Sequence, residues 1–212
     1  MLNGTVKIVM SNTSTSKIPL FPISISILPK EFVPLHIFEA RYRSMVSDAL
    51  KNDTQFGIIY KENEQIKNIG CSVFIEKVYK KYQDGKYDIL IRGKKRFKIL
   101  NLFKEGSLWF GEVEFLNENY NEIDKKKFST IIDKYIKLLL MFDIEHDIQN
   151  EMMKKVSFDF TKNILIPNNI KQEFLELEDE SDRIIFIDNF LDSIFSNIKK
   201  DKNKIFKGRI LN

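Results

Sequence analysis

The chain of 212 residues changes its hydrophobic period once, near Asn117. Before this point, short apolar runs alternate with polar positions and are separated by turn residues, which is typical of β-strands. After it, apolar residues recur every three or four positions, as in amphipathic helices. We therefore predict an α+β protein in which a β-rich half precedes a helical half.

Short runs with clear turn signals define the β-rich half. Asp84-Gly85 predicts a tight hairpin, Glu105-Gly106 a second turn, and Gly93 is expected to interrupt a strand. The prolines of the first run favour an edge or bulged strand over a central one. The close spacing of the strands indicates a barrel or sandwich. The predicted strands include "IPLFPISISIL", "QFGIIY", "CSVFIEKVYKKY", "KYDILIR" and "LWFGEVEFL".

One helix interrupts these strands. Glu39 is expected in its first turn, where it can pair with Arg43 four residues later, and Asn52-Asp53 is expected to end it. Its apolar face at helical spacing comprises Phe38, Tyr42, Met45, Val46, Ala49 and Leu50.

Four helices are predicted in the second half. Phe128 to Phe142 carries a broad apolar stripe, which predicts a core helix and not a coiled-coil seam. Ile148 to Val156 predicts a second helix, and "NNIKQEFLELE" a short third. Ile184 to Ile198 predicts a fourth, which Lys199-Lys200 should close. The resulting segments are a polar leader (1–16), a β-rich subdomain (17–120), a helical subdomain (121–200) and a basic tail (201–212).

The location of the protein follows from what the sequence lacks. It has no apolar run near the ~20 residues of a membrane-spanning helix and no secretory signal pattern. Its single cysteine fits a reducing compartment. We expect a cytoplasmic protein with no membrane partner.

Catalytic and metal-binding motifs are also missing from the sequence. It contains no phosphate-binding loop, dinucleotide fingerprint or nucleophile elbow. His36, His146 and Cys71 fall in three different predicted elements, so no metal site is expected. Cys71 begins an apolar strand and is interpreted as a buried hydrophobe. We expect no enzyme, no cofactor and no metal.

Two clusters of polar residues admit more than one interpretation. In "PLHIFEARYR", His36 could be catalytic, but its place between Leu35 and Ile37 favours hydrogen bonding at a strand-to-helix corner. In this interpretation Pro34, Leu35 and Ile37 extend into the core. A second cluster could bind nucleic acid, or it could be a solvated lysine-rich face. Its residues are Lys77, Lys80, Lys81, Lys94 and Lys95.

Between residues 17 and 198, the order of segments resembles the N-terminal substrate-binding domain of Lon protease. "VPLHIFEARYR", "RGKKRF" and "IKQEFLELE" followed by Arg183 carry the resemblance. One departure is Lys30, since the family often has glycine after the proline. The matching motif residues are His36, Glu39, Arg41, Tyr42, Arg43, Gly93, Arg96, Phe97 and Arg183.

This resemblance implies a PUA-like β-barrel followed by a helical bundle, which would bind unfolded or damaged polypeptides. The ATPase and serine–lysine protease elements of Lon are not in the sequence, so a non-catalytic adaptor or quality-control role is expected. Lon or another protease is a candidate partner. Because PUA-like barrels also occur in RNA-binding proteins, RNA binding by the lysine cluster is the alternative.

The sequence suggests one groove for polypeptide. Phe32 and Val33 lie in a charged loop, and Trp109 beside Phe110 makes both faces of a strand aromatic. An exposed apolar surface is what tolerates many sequences. We therefore predict that Phe32, Val33 and either Trp109 or Phe110 line one groove, near the helical half. In the alternative interpretation, these residues fill the core.

Overall fold

A computed structural model of the chain describes residues 15–118 and 124–210, with side chains as far as residue 198. Most of the predicted leader lies outside the described residues, except Thr15 and Ser16, which belong to the first strand. The six strands are β1 (Thr15–Ile23), β2 (Phe32–Ile37), β3 (Phe56–Glu62), β4 (Gln65–Lys81), β5 (Tyr87–Glu105) and β6 (Leu108–Phe115). The helices are α1 (Ala40–Asn52), α2 (Lys125–Met141), α3 (Ile148–Met152), a 3-10 helix (Ser157–Thr161), α4 (Asn168–Glu176) and α5 (Glu180–Ile210).

The strands form one mixed sheet in the order β2-β5-β4-β3-β1-β6, and β6 pairs again with β5 to close a barrel. β1 pairs on both sides, in parallel with β3 and antiparallel with β6. The predicted edge position of β1 is therefore wrong, although the strand contains Pro19 and Pro22. Among the described residues, β2 pairs only with β5. The predicted α+β class is confirmed.

Gly93 does not break its strand, contrary to the prediction. It lies inside β5, where a Cβ atom would stand 2.1 Å from the carbonyl oxygen of Leu28. Its N–H donates to the carbonyl of Glu31 at 2.9 Å, and its own carbonyl accepts from the N–H of Lys30 at 2.9 Å. The glycine is required because the loop before β2 crosses the strand at this point. Lys30 has a left-handed φ of 69°, which explains why glycine suits that position too.

Helix α1 covers one end of the barrel. It begins at Ala40, so Phe38 precedes it and is 60% exposed instead of lying on its apolar face. Asp53 ends it in a left-handed conformation with φ of 50°, close to the predicted end. Its buried residues are Tyr42, Met45, Val46 and Ala49.

The predicted ion pair at the start of α1 is wrong. Glu39 lies at the N-cap position and binds Arg41, whose Nη2 is 2.6 Å from the carboxylate. Arg43 instead donates to the backbone carbonyl of Asp84 in the β4–β5 hairpin. Arg41 therefore pairs locally at the start of its own helix, whereas Arg43 ties α1 to the β4–β5 hairpin.

The helical half has its own core, which confirms α2 as a core helix. Leu28 reaches this core from the barrel side and joins the two halves. The second predicted helix begins at Ile148 as expected but is shorter than predicted, because α3 ends at Met152 and a 3-10 helix follows. The backbone of α5 continues past Lys199-Lys200 to Ile210. None of the helices in the described ranges is long and apolar enough to cross a membrane.

Candidate polypeptide-binding site

A buried arginine from the barrel holds the helical half in place. Arg96 of β5 is 1% exposed. Its Nε donates to Glu118 at 2.6 Å, and its Nη1 donates to the carbonyls of Leu175 and Leu177 at 2.7 and 2.5 Å. These carbonyls lie at the end of α4, so the side chain of Arg96 supplies donors that this helix end lacks internally.

A second buried arginine, Arg183 of α5, completes the same network. Its Nη2 donates to Glu118 at 2.7 Å and its Nε donates to Glu180 at 2.9 Å. Glu180 also accepts from the backbone and the hydroxyl of Ser157 at 2.6 and 2.8 Å. Both buried charges therefore have carboxylate partners, as a stable buried cation requires.

The other motif residue of β5, Phe97, points into the barrel. It is fully buried, and Cβ atoms at Gly57 or Gly70 would lie within 2.7 Å of its ring. The two glycines therefore make room for the phenyl group. Arg96 and Phe97 are consecutive residues of one strand, so they reach opposite faces, the helical junction and the barrel core.

The junction leaves a cavity of about 340 Å³ between the barrel and the helical half. Phe32 and Arg92 line it from β2 and β5, and Met153 and Phe158 line it from the helical side. Phe32 is 45% exposed and Met153 is 68% exposed, so the apolar rim is open to solvent. Phe158 also packs against Arg96, which ties the cavity wall to the buried network.

The carboxylates around this cavity bind lysines. Asp159 accepts from Lys30 at 2.6 Å and from the backbone of Lys155 at 2.9 Å. Burial alone would raise the pKa of Asp159, but these hydrogen bonds hold it below its usual value. Asp159 is therefore ionised at neutral pH and fixes the loop containing Lys30 against the 3-10 helix.

Further apolar residues are exposed where α2 turns into α3. The sequence pattern assigned Ile148 and Met152 to a buried helix face, but they are 49% and 64% exposed. Pattern alone could not reveal this, because helical spacing shows which residues share a face and not whether a neighbour covers it. The exposed residues of this turn are Leu140, Met141, Phe142, Ile148, Met152 and Met153.

The structure does not bring the four predicted groove residues together. Val33 is partly buried against the barrel core, and Phe110 stacks on Phe103 with ring centroids 6.3 Å apart. Trp109 lines a different cavity, of about 320 Å³, together with Arg41. Phe32 alone of the four lines the cavity at the helical junction.

His36 forms a surface pair and not a buried corner. Its Nδ1 lies 2.6 Å from Asp88 of the neighbouring strand, and Tyr82 donates to the same carboxylate at 2.6 Å. Hydrogen bonds from His36 and then Tyr82 lower the pKa of Asp88. Ile37 is buried and Leu35 is half-buried, but Pro34 is exposed, contrary to the prediction. The arrangement joins β2 to the β4–β5 hairpin.

The predicted basic cluster lies on the exposed surface of β4 and β5. Lysine ammonium groups lie over aromatic rings there, a favourable cation–π arrangement. Lys95 is also exposed, and its backbone N–H donates to Ser72. The stacked pairs are Lys77 over Tyr79, Lys80 over Tyr82, Lys81 over Tyr87 and Lys94 over Phe74, at 5.1, 4.4, 5.5 and 5.8 Å.

Cys71 is buried in β4, as the sequence analysis expected. Burial raises the pKa of its thiol to about 12, so the thiolate is almost absent at neutral pH. Within the described ranges, no three His, Cys, Asp or Glu residues are placed to hold a metal ion.

A closed barrel fastened to a helical bundle by buried arginines, with a solvent-open cavity at their junction, is the architecture expected of a Lon N-terminal domain. The model of the family described as the ATP-dependent protease La (LON) substrate-binding domain matches residues 17–193. The chain belongs to this family.

Relatives of known sequence support this assignment. The chain is 24% identical over 205 residues to Lon protease from Buchnera aphidicola subsp. Acyrthosiphon pisum, covering 87% of this chain and 26% of that protein. It is also 24% identical over 196 residues to Lon protease from Cytophaga hutchinsonii, covering 84% and 24%. The chain thus spans about a quarter of the length of these relatives.

Solved structures share the fold. The Lon N-terminal domain protein from Xanthomonas campestris superposes with a TM-score of 0.63 at 20% identity, covering 80% of this chain and 95% of that one. The N-terminal domain of a Mycobacterium avium complex Lon protease gives 0.69 at 17% identity, covering 84% and 98%. The predicted barrel followed by helices is confirmed as this fold.

Proposed function

We propose that the chain binds unfolded or damaged polypeptides, or a protein partner that presents an extended apolar segment. The observation that carries the proposal is the open apolar rim of the junction cavity, formed by Phe32 and Met153 from the two halves. Membership of a substrate-binding family supports it. The other predicted groove residues, Val33, Trp109 and Phe110, remain candidates for a second contact with the bound polypeptide.

The chemistry of this rim suits many different sequences. Hydrophobic contact is non-directional, so it does not require one partner geometry. Methionine adds an unbranched, polarisable side chain that adapts to irregular partners. Met152 and Met153 are both strongly exposed beside the cavity wall. The rigid phenyl group of Phe32 opposite the adaptable thioether of Met153 favours promiscuous capture of apolar segments.

We further propose that the role is binding without catalysis, in protein quality control or as an adaptor. Lon or another protease is the partner class that the family suggests. The cytoplasm is the proposed location, with Cys71 buried and unpaired in the described structure.

The direct test measures binding of a fluorescently labelled, reduced and alkylated globular protein. Phe32→Ser should weaken binding severalfold while leaving the thermal midpoint nearly unchanged, because the side chain is already half in solvent. Leu100→Ser is the matched control, since Leu100 is 51% exposed on β5 but does not line the cavity. If both variants bind the labelled protein equally well, the binding site lies elsewhere on the molecule.

RNA binding by the basic hairpin is the second candidate. The exposed lysines Lys77, Lys80 and Lys81 favour it, together with Lys94 and Lys95 on the next strand. Four of them already cover the rings on which bases would stack, so phosphate contacts would have to supply the affinity. Such binding would fall steeply with salt, whereas apolar capture would change little.

A further inference from the structure

We infer that the junction cavity selects apolar polypeptide segments that carry acidic residues next to the apolar anchor. This inference rests on the proposed function, since it concerns which polypeptides the same site prefers. It follows from the charges around the cavity, which are not balanced. Because hydrophobic contact alone does not discriminate among apolar segments, the surrounding charges set the preference.

The carboxylates that line the cavity are already engaged. Each forms an ion pair with a lysine within the molecule, so its charge is already balanced. A positively charged segment would have to displace a lysine before it could pair. The three pairs are Glu31 with Lys171, Glu151 with Lys154 at 2.7 Å, and Asp159 with Lys30 at 2.6 Å.

Two cations that line the cavity have no carboxylate partner in the described part of the chain. These cations are Arg92 and Lys162. The guanidinium of Arg92 lies over the ring of Phe32, 5.3 Å from its centroid. This contact leaves the N–H groups of Arg92 able to bind a carboxylate in a two-point contact.

The positive and aromatic character continues from the cavity along the outside of the barrel. Phe32, Arg92 and Phe74 are register partners on β2, β5 and β4, so their side chains share one face. Lys94 lies over Phe74 at 5.8 Å. An apolar anchor beside Phe32 would therefore place its neighbouring residues along cations.

These observations favour a polypeptide ligand over nucleic acid at this place. Phe32 and Phe74 already carry cations on their faces, so neither ring offers a free platform for a base. Met153 on the opposite rim offers apolar contact and no phosphate donor. An apolar side chain next to a carboxylate matches this surface, because the first can contact the apolar rim and the second can pair with the neighbouring cations.

The test compares three labelled peptides with the same Leu-Phe-Leu centre and amidated ends, flanked by Glu, Gln or Lys. By fluorescence anisotropy at low salt, the Glu-flanked peptide should bind about threefold to tenfold more tightly than the Gln-flanked one, a difference of ~0.7–1.4 kcal/mol that two exposed ion pairs can supply. The Lys-flanked peptide should bind most weakly. High salt should bring the three affinities together.

Substitutions test whether Arg92 and Lys162 cause the preference for the Glu-flanked peptide. Arg92→Met with Lys162→Met should remove the advantage of the Glu-flanked peptide and retain binding of the Gln-flanked one, whereas Arg92→Lys should keep part of it. Lys98→Met, an exposed charge farther along β5, should change nothing. Equal affinities for the Glu and Gln peptides, or a preference that survives the double variant, would overturn the inference and leave the proposed function standing. Failure of every peptide to bind would defeat both.

Discussion

Arg96 and Arg183 bind the two oxygens of one carboxylate, that of Glu118. The distances are 2.6 Å from Arg96 Nε to Oε1 and 2.7 Å from Arg183 Nη2 to Oε2. One arginine belongs to the barrel and the other to α5, so Glu118 joins the two halves. The cavity proposed to bind polypeptide lies next to this junction, and its shape depends on the junction staying intact.

Replacing the barrel arginine should therefore destabilise the whole fold. Arg96→Met removes one of the two buried arginine partners of Glu118 and the side-chain donor to the carbonyl of Leu175, and breaking a buried pair costs about 3–5 kcal/mol. Chemical denaturation should show this loss. Arg92→Met, an exposed arginine on the same strand, should change the unfolding free energy by less than about 0.5 kcal/mol. Similar stabilities for the two variants would mean that the network does not hold the halves together.

The core role of α2 leads to a second prediction. Ile131 is fully buried, and Ile131→Asp places a charge in that core, so the helical half should unfold with a loss of at least about 3 kcal/mol. Leu140→Asp, on the same helix but 60% exposed, should leave circular dichroism and thermal midpoint close to wild type. A folded Ile131→Asp protein would show that this core tolerates a charge.

Gly93 provides a third prediction, because its neighbour is backbone that cannot rotate away. Gly93→Ala would force a methyl group against the carbonyl of Leu28, and overpacking of this kind costs about 1–3 kcal/mol or more. Gly106→Asn is the control: Gly106 has a φ of 59° but nothing within 4 Å of a Cβ atom, and asparagine tolerates that conformation. Thermal denaturation of both variants should show a large loss only for Gly93→Ala.

The sequence predicted those parts of the fold that depend on local signals. The hairpin turn at Asp84-Gly85 and the end of α1 near Asp53 follow from turn chemistry that acts over a few residues. The edge position of β1 and the break at Gly93 were wrong, because both depend on which distant segment lies alongside. A proline in β1 or a glycine in β5 has the same local preference whatever packs against it.

The site was less predictable for a related reason. Phe32 could be suspected because it stands between charged residues in a loop, but its partners across the cavity come from far along the chain. Ile148 and Met152 follow a helical spacing that usually marks a core, and only the packing of α3 leaves them exposed. Arg92 carried no sequence signal, since its importance comes from its register with Phe32.

Asp88 gives a fourth prediction, which concerns acid pH. Its folded pKa lies below the ordinary value of 3.8 because His36 and Tyr82 bind the carboxylate. The stabilisation from these bonds is therefore complete above pH 3.8 and is lost as the pH falls through the lower folded value. Tyr82→Phe should raise the pKa of Asp88, and His36→Ala should raise it more, since its bond has the larger effect. Carbon-13 NMR titration of the carboxyl would detect both shifts.

The stability of His36→Ala also tests the interpretation of His36. The side chain is half exposed, so His36→Ala should lower the unfolding free energy only slightly, far less than Arg96→Met. A large loss would mean that the corner of β2 depends on His36 more than its hydrogen bond to Asp88 indicates.

The fifth prediction concerns the buried thiol of Cys71, whose titration makes the free energy of unfolding depend on pH. The folded pKa of about 12 is above the ordinary thiol value of 9.0, since burial disfavours the thiolate. A raised folded pKa contributes stability that is complete below pH 9.0 and declines as the pH rises towards 12. Wild-type protein should therefore lose stability above pH 9.0 faster than Cys71→Ala, in which this group cannot titrate.

The thiol also reports how often the barrel opens. Cys71 pairs with Ile58 and Arg96 in neighbouring strands, so a reagent such as Ellman's disulfide reaches it only after those strands separate. At neutral pH, modification should be slow and should follow the equilibrium population of the open state. Arg96→Met should accelerate it by the factor by which the variant raises the population of the open state, whereas Arg92→Met should not. Rapid modification of the wild-type thiol at neutral pH would show that β4 is accessible without unfolding of the barrel.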